Sequence, residues 1–129
     1  MNALGLVLAV KIVVTIVFVA APLLLLPQEK LRAMFRAEGA GSGTLFRLYG
    51  VAMLAILANY AYGLWAVAHG QFPWGVIVMG VISNGGAVLA SVRMGAWRRA
   101  RALNAFFGGV AIALVLATGF QQQALAPLW

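Results

Sequence analysis

The run ALGLVLAVKIVVTIVFVAAPLLLL, residues 3–26, decides the fold of this chain. It exceeds the roughly 20 apolar residues that an α-helix needs to cross the hydrocarbon core of a bilayer. No basic segment precedes the run, and leucines rather than a polar segment follow Ala20 and Ala21. We therefore expect the run to be retained as a membrane span rather than removed as a signal peptide.

Three further runs of the same character use most of the remaining chain. They cover Leu45–Ala68, Trp74–Val92 and Leu103–Gln121. Hydrophobic residues make up 64% of the 129 positions, so a water-soluble domain would lack the polar residues needed to cover its surface. We predict an all-α membrane protein in which residues 1–129 form a single domain, a compact bundle of four transmembrane helices.

The distribution of charge predicts how the chain is threaded. Of the nine Lys and Arg residues, all but Lys11 lie within residues 30–47 or 93–101. In the connection between the second and third spans, His69 is the only residue with a titratable side chain. The positive-inside rule places the basic segments in the cytoplasm. We predict a multi-pass protein of a bacterial-type plasma (inner) membrane, with loops 27–44 and 93–102 cytoplasmic and both termini outside.

The first of these loops has a periodic pattern of its own. Between residues 28 and 38, Leu31, Met34 and Phe35 recur at spacings of three and four, with charged residues between them. This pattern predicts a short cytoplasmic amphipathic helix that lies in the membrane interface. A glycine-rich joint at residues 39–43 follows it.

The basic residues favour membrane lipids over nucleic acid as partners. The net charge of +7 is divided between two short loops beside apolar spans, which is the pattern of topology determinants and of contact with anionic lipids. We therefore predict no nucleic-acid partner. The predicted anionic-lipid contacts are Lys30, Arg32, Arg36, Arg93, Arg98, Arg99 and Arg101.

Small residues are frequent in the second, third and fourth spans, where close packing must replace the hydrophobic effect as the force that joins helices. The third span contains Gly75, Gly80, Gly85, Gly86 and Ala90, and it is predicted to be the central packing element. Such residues serve packing within one chain and association between chains equally well, so the sequence leaves both uses open.

Lys11 is the one charged side chain deep within a span, about 12 Å from the start of the first helix at 1.5 Å per residue. Burying an ammonium group there is costly. The side chain can extend to the interface, or it can be enclosed and paired. Polar residues predicted at comparable depth are candidates for contact with it, with a ligand or with a partner: Asn59, Tyr60, Tyr62 and Asn84.

The sequence offers little for catalysis. It contains no cysteine, which excludes disulfides and thiolate chemistry, and His69 is the single histidine, which cannot supply both axial ligands of a haem. No Ser–His–acid set, carboxylate pair or phosphate-binding glycine loop is recognisable. We therefore predict no enzyme activity, no catalytic residue, no metal site and no cofactor.

Three functions remain open. The favoured hypothesis is a non-catalytic accessory or assembly subunit of a larger membrane complex, bound to other membrane subunits or to copies of itself. The alternatives are a small homo-oligomeric transporter or channel with Lys11, Asn59 and Asn84 near the path, and a membrane scaffold that binds lipid or pigment.

Overall fold

The computed structural model describes residues 1–35 and 42–128, with the side chains of Phe35 and Arg99 left aside. Within these residues the regular elements are helical, apart from one isolated bridge between Asn2 and Pro127. The elements in chain order are α1 (Ala3–Thr15), a π turn (Ile16–Ala20), α2 (Ala21–Leu25), α3 (Gln28–Phe35), α4 (Ser42–Ala68), α5 (Trp74–Arg93), a 3₁₀ turn (Trp97–Arg99), α6 (Arg101–Gly119) and α7 (Gln121–Leu125).

Four of the described helical segments are long and apolar enough to cross a membrane, which confirms the predicted all-helical class. They are Ala3–Leu25, Ser42–Ala68, Trp74–Arg93 and Arg101–Gly119. Each overlaps one of the four predicted spans. The packing of these segments into one compact bundle, and their orientation in a membrane, stay predictions.

The first span is not a continuous α-helix. In the π turn, the Ala21 amide N–H donates to the Ile16 carbonyl, five residues back. Pro22 explains the turn, because in a regular α-helix its ring would clash with the carbonyl of Phe18 and it has no N–H to donate. A single π turn next to a proline accommodates both problems without ending the span.

The π turn also keeps one face of the first span buried. The buried positions advance by four, three and four residues along α1, then by five residues across the turn, and then by three: Leu4, Leu8, Lys11, Thr15, Ala20 and Leu23. A step of five residues would leave the buried face of an α-helix, whereas the wider π turn returns Ala20 and Leu23 to it.

The first basic loop begins with the predicted amphipathic helix. α3 covers Gln28–Phe35, and the predicted continuation to residue 38 lies outside the described residues. Leu31 is fully buried whereas Met34 is exposed, so the apolar face of α3 is divided between protein contact and the surroundings. The Arg32 Nε donates to the Ser42 hydroxyl at 2.9 Å, which joins α3 to the start of α4.

α4 begins at Ser42, three residues before the predicted start of the second span. The last two residues of the predicted glycine-rich joint, Ser42 and Gly43, therefore belong to α4. Residues 39–41 of the joint lie outside the described part of the chain. A Cβ added at Gly43 would meet the terminal amide of Gln28, an exposed and flexible side chain that can move aside.

The chain divides into two units. The middle unit is Ala9–Tyr62, and the terminal unit is Met1–Leu8 together with the chain from Gly63 onward. In the terminal unit, α5 and α6 pack as consecutive antiparallel helices, and the Asn104 Nδ2 donates to the Ser91 hydroxyl at 2.8 Å. In the same unit, the Leu128 amide N–H donates to the Met1 carbonyl at 3.0 Å, so residues near both ends of the chain are paired.

Two glycines allow the turns of the terminal unit. Gly70 follows α4 with φ of +73°, and Gly95 follows α5 with φ of +66°, a region that side chains with a Cβ rarely adopt. The turn after α5 is closed by an Ala96 amide N–H that donates to the Ser91 carbonyl at 2.9 Å. Pro73 precedes α5, as expected for a residue without an N–H at a helix start.

Candidate functional site

Lys11 lies on the buried face of the first span. Its side chain is 4% exposed, so it is enclosed by protein instead of extending along the outside to the membrane interface. This resolves the alternative that the sequence left open. Enclosing an ammonium group in a low-dielectric interior is costly unless nearby groups stabilise the charge.

Tyr60 supplies one such group within the middle unit. The Lys11 Nζ lies 5.9 Å from the centroid of the Tyr60 ring, at the limit of a cation–π contact. Tyr60 has no exposed surface, and it is the largest fully buried side chain. The electron-rich face of the ring thus stabilises the ammonium group in a region from which water is excluded.

Thr15 adds a polar group one helical turn from Lys11. The two residues are four apart on the same face of α1, where side chains are neighbours. Thr15 is 2% exposed, and its hydroxyl has no hydrogen-bond partner among the described residues. A hydroxyl that is buried without a partner loses its hydration without compensation, which costs about 1–3 kcal/mol.

We refer to Lys11, Thr15 and Tyr60 as the lysine cluster. The cluster ends at the π turn, and π turns within α-helices occur frequently at functional sites. An enclosed cation, a hydroxyl and an aromatic face can together stabilise a small polar or anionic group. The lysine cluster is therefore the candidate functional site of the middle unit.

The other predicted candidates are in different environments. Asn59 is half-buried and Tyr62 is 58% exposed, both in the middle unit. Asn84 belongs to the terminal unit, where it is buried and its Nδ2 donates to the Gly80 carbonyl at 2.7 Å. Of the five candidates, Lys11 and Tyr60 are the pair whose contact is established here.

The predicted lipid-contact residues of the first loop differ in their surroundings. Lys30 is exposed, but Arg32 is held by Ser42, and Arg36 lies outside the described residues. Arg47, which was not a candidate, donates to three backbone carbonyls at the end of the first span. Its Nη1 donates to Leu23 at 2.8 Å and to Leu24, and its Nη2 donates to Leu26 at 2.9 Å.

The second loop presents its arginines outward. Arg93, Arg98 and Arg101 are exposed, and the placement of the Arg99 side chain lies outside the description. Met94 is 81% exposed and Trp97 is 40% exposed in the same turn. The two basic loops thus have similar composition but different contacts.

The exposed residues on the outward face of α5 include Gly75, Val78, Ile82, Gly86, Leu89 and Ala90. A Cβ added at Gly75 or Gly86 would meet no atom of the described residues within 4 Å, apart from neighbours in its own helix. The same holds for Gly85. These three glycines therefore have no close neighbour of this kind among the described residues, whereas Gly80 is buried. The role of α5 as the central packing element stays a prediction.

An apolar groove of about 300 Å³ lies in the terminal unit between the start of α1 and the end of α6. Its walls include Leu4, Val7, Leu116 and Phe120, with Gln123 at the edge. Within residues 1–35 and 42–128, no three His, Asp or Glu side chains are grouped so that they could hold a metal ion.

Three residues that the sequence analysis did not select have defined contacts. Thr15 could have been found from its spacing of four from Lys11. Arg47 could have been found because Pro27 ends the first span and leaves backbone carbonyls that need donors. Asn104 could have been found as a polar residue near the start of an apolar run, although its partner Ser91 is visible only in the structure.

Comparisons with protein families, with curated proteins and with solved structures find no match for this chain.

Proposed function

We propose that this protein is a non-catalytic, multi-pass membrane protein that serves as an accessory or assembly subunit of a larger membrane complex. The observation that carries the proposal is the outward face of α5. Glycine is among the poorest helix formers, costing about 1 kcal/mol relative to alanine in a helix interior. A glycine that faces outward without an intramolecular neighbour is explained if a helix of another protein packs closely against it.

The arrangement of small residues on this face fits that use. Gly86 and Ala90 form a small-xxx-small pair, and both are exposed. Gly75 and Ile82 extend the same face over three helical turns. Because lipid tails are as apolar as leucine, association of membrane helices depends on such close backbone contact rather than on hydrophobicity.

The partner surface is proposed on α5, in the terminal unit, and not at Lys11, in the middle unit. A lysine that is 4% exposed has little surface to offer a partner's carboxylate. The lysine cluster would instead act within the subunit, and the partner would contact α5. Charge on the basic loops would orient the subunit in the inner membrane, with those loops in the cytoplasm.

The experiment is purification of the full chain from its native membrane in mild detergent, as wild type and as Gly86→Leu. We expect a stoichiometric membrane partner with the wild type and its loss with Gly86→Leu, because the leucine side chain blocks close approach. Val92→Leu is the matched control, since Val92 is also on α5 and is 54% exposed, but it lies about 120° around the helix from Gly86. Recovery of a lone monomer from wild-type membranes, or equal partner recovery from all three proteins, would contradict the proposal.

A homo-oligomeric transporter or channel is a second candidate, favoured by the lysine cluster. A buried cation beside a hydroxyl without a partner can stabilise a polar solute within the membrane. The test is solute and ion flux into liposomes that contain the purified protein. Flux that persists in both Lys11→Met and Thr15→Val would remove the cluster from any transport path, whereas loss in both with normal insertion would favour this function over the accessory role.

A scaffold that binds lipid or pigment is the third candidate, and the apolar groove of the terminal unit favours it. The test is mass analysis and an absorbance spectrum of the purified protein. Replacing Ala117, which lines the groove, by Phe should lower the amount of any bound apolar molecule. An unchanged amount would exclude the groove as its binding site.

A further inference from the structure

The turn between α5 and α6 is short and ordered by its own hydrogen bonds. The Met94 amide N–H donates to the Ala90 carbonyl at 2.9 Å, and the Ala96 amide N–H donates to the Ser91 carbonyl at the same distance. The contact between Asn104 and Ser91 joins the adjacent helix ends. Side chains on this turn are therefore presented from a defined backbone.

Three arginines of this turn are available for an external ligand. They are Arg93 at the end of α5, Arg98 in the turn and Arg101 at the start of α6, and all three are exposed. None of these three side chains makes a hydrogen bond or an ion pair with the described residues. The chain from residue 39 to its end contains no Asp or Glu, so this segment has no carboxylate of its own to neutralise them. The turn thus carries an uncompensated positive charge.

The corresponding residues of the first loop are already engaged. Arg47 directs its donors at the carbonyls that end the first span, and Arg32 binds Ser42. A guanidinium group held by backbone carbonyls has fewer donors left for an external anion. The two basic loops therefore differ in their capacity to bind a ligand, although their sequences predict the same role.

The apolar residues of the turn indicate what kind of anion it binds. Met94 is the most exposed large hydrophobic side chain among those described, and Trp97 is 40% exposed beside Arg98. An indole ring favours the headgroup level of a bilayer, and an exposed methionine is more stable in contact with acyl chains than with water. Arginine binds phosphate oxygens with paired donors.

We propose that the turn between α5 and α6 binds the phosphate headgroup of an anionic phospholipid. Arg93, Arg98 and Arg101 bind the phosphate group, and Met94 and Trp97 contact the adjacent acyl and glycerol region. The first loop is not an equivalent site. The inference goes beyond the accessory role and does not depend on it, since it requires only that α5 and α6 span a membrane.

The test is native mass spectrometry of the full chain in detergent, titrated with phosphatidylglycerol or with phosphatidylcholine of the same acyl chains. We expect the wild type to retain phosphatidylglycerol in preference. The triple variant Arg93→Gln, Arg98→Gln and Arg101→Gln should bind it on the order of a hundredfold more weakly, since each arginine near an anionic surface contributes roughly fivefold. Lys30→Gln, which removes an exposed cation of the first loop, should retain most of the binding.

Two further measurements keep the outcomes distinct. Thermal unfolding of the triple variant should match the wild type, and if it does not, the single variant Arg98→Gln should still weaken binding roughly fivefold. Inorganic phosphate is added as a competitor. Full displacement of the lipid by millimolar phosphate would assign the site to a free anion. Equal retention of both lipids, or an equal loss in Lys30→Gln and the triple variant, would overturn the proposal.

Discussion

The first and third spans both bury a polar residue, but they differ in where they place their other exceptional residues. The first span encloses Lys11 and Thr15 on its buried face and uses a π turn to keep that face continuous. The third span, α5, directs Gly75 and Gly86 outward, where the described residues provide no neighbour for a side chain. Lys11 thus has a contact within the chain, at the Tyr60 ring, whereas the described residues offer no such contact to Gly75 and Gly86.

The two basic loops show the same contrast. In the first loop, Arg47 and Arg32 stabilise the ends of helices, whereas in the second loop Arg93, Arg98 and Arg101 make no contact of this kind with the part of the chain that the structure describes. A count of positive charges treats the loops as equivalent. The difference teaches that arginines in two loops of similar composition have different contacts, so a charge count alone does not assign their roles.

The largest expected effect on the free energy of unfolding comes from the arginines of the two basic loops. Arg47→Ala removes the donors of three carbonyls at the end of the first span, and it should lower the free energy of unfolding by about 3 kcal/mol, since hydrogen bonds that involve a charged group are the strong ones. Arg93→Ala is the control and should change it by less than about 0.5 kcal/mol. Thermal unfolding in detergent measures both. Equal midpoints for the two variants would remove the distinction between the loops.

A smaller effect is expected when two glycines are compared. A Cβ at Gly63 would lie 2.8 Å from the Cγ1 of Val76, which is buried and has a stiff, branched side chain. Gly63→Ala should therefore destabilise the protein by about 2 kcal/mol through overpacking.

Gly85→Ala is the matched change on α5, where an added Cβ meets nothing within 4 Å among the described residues. It should stabilise the isolated protein by up to about 1 kcal/mol, because alanine is the better helix former. Chemical unfolding in mixed micelles can compare the two variants. If Gly85→Ala were the more damaging one, Gly85 itself would be closely packed within the chain after all.

The third prediction concerns the enclosed charge. Lys11→Met retains the length of the side chain and removes the ammonium group, so it should raise the free energy of unfolding by about 1 kcal/mol, since apolar replacements of buried charges are often stabilising. Tyr60→Leu can then be added to the Lys11→Met variant. Its cost in that variant measures the loss of ring packing alone, because no cation remains to contact the ring. A marked loss of stability in Lys11→Met would mean that the ammonium group is well compensated and structurally required.

The smallest expected effect concerns the hydrogen bond that joins α5 and α6. Asn104→Ala should cost about 0.6 kcal/mol, a typical value for a hydrogen bond between membrane helices. A double-mutant cycle with Ser91→Ala should assign most of this cost to the pair. Additive losses in the double variant would show that the two residues act independently.

The sequence by itself determined the helical class and the four candidate spans. In a membrane, a run of about 20 apolar residues forms an α-helix, because the helix satisfies its backbone hydrogen bonds within the run. The ends of the spans were predicted to within three residues. The largest difference is at the start of α4, where Ser42 accepts a hydrogen bond from Arg32. The sequence also identified Lys11 as exceptional, since an ammonium group within an apolar run is costly wherever its side chain points.

Only the tertiary structure decided what surrounds each exceptional residue. It placed the Tyr60 ring over Lys11, left the Thr15 hydroxyl without a partner, directed Arg47 at the end of the first span and turned Gly86 outward. These outcomes depend on the rotation of each helix about its axis, and the single extra residue of the π turn changes that rotation. An almost uniformly apolar sequence does not determine the rotation, because every face of such a helix is compatible with lipid.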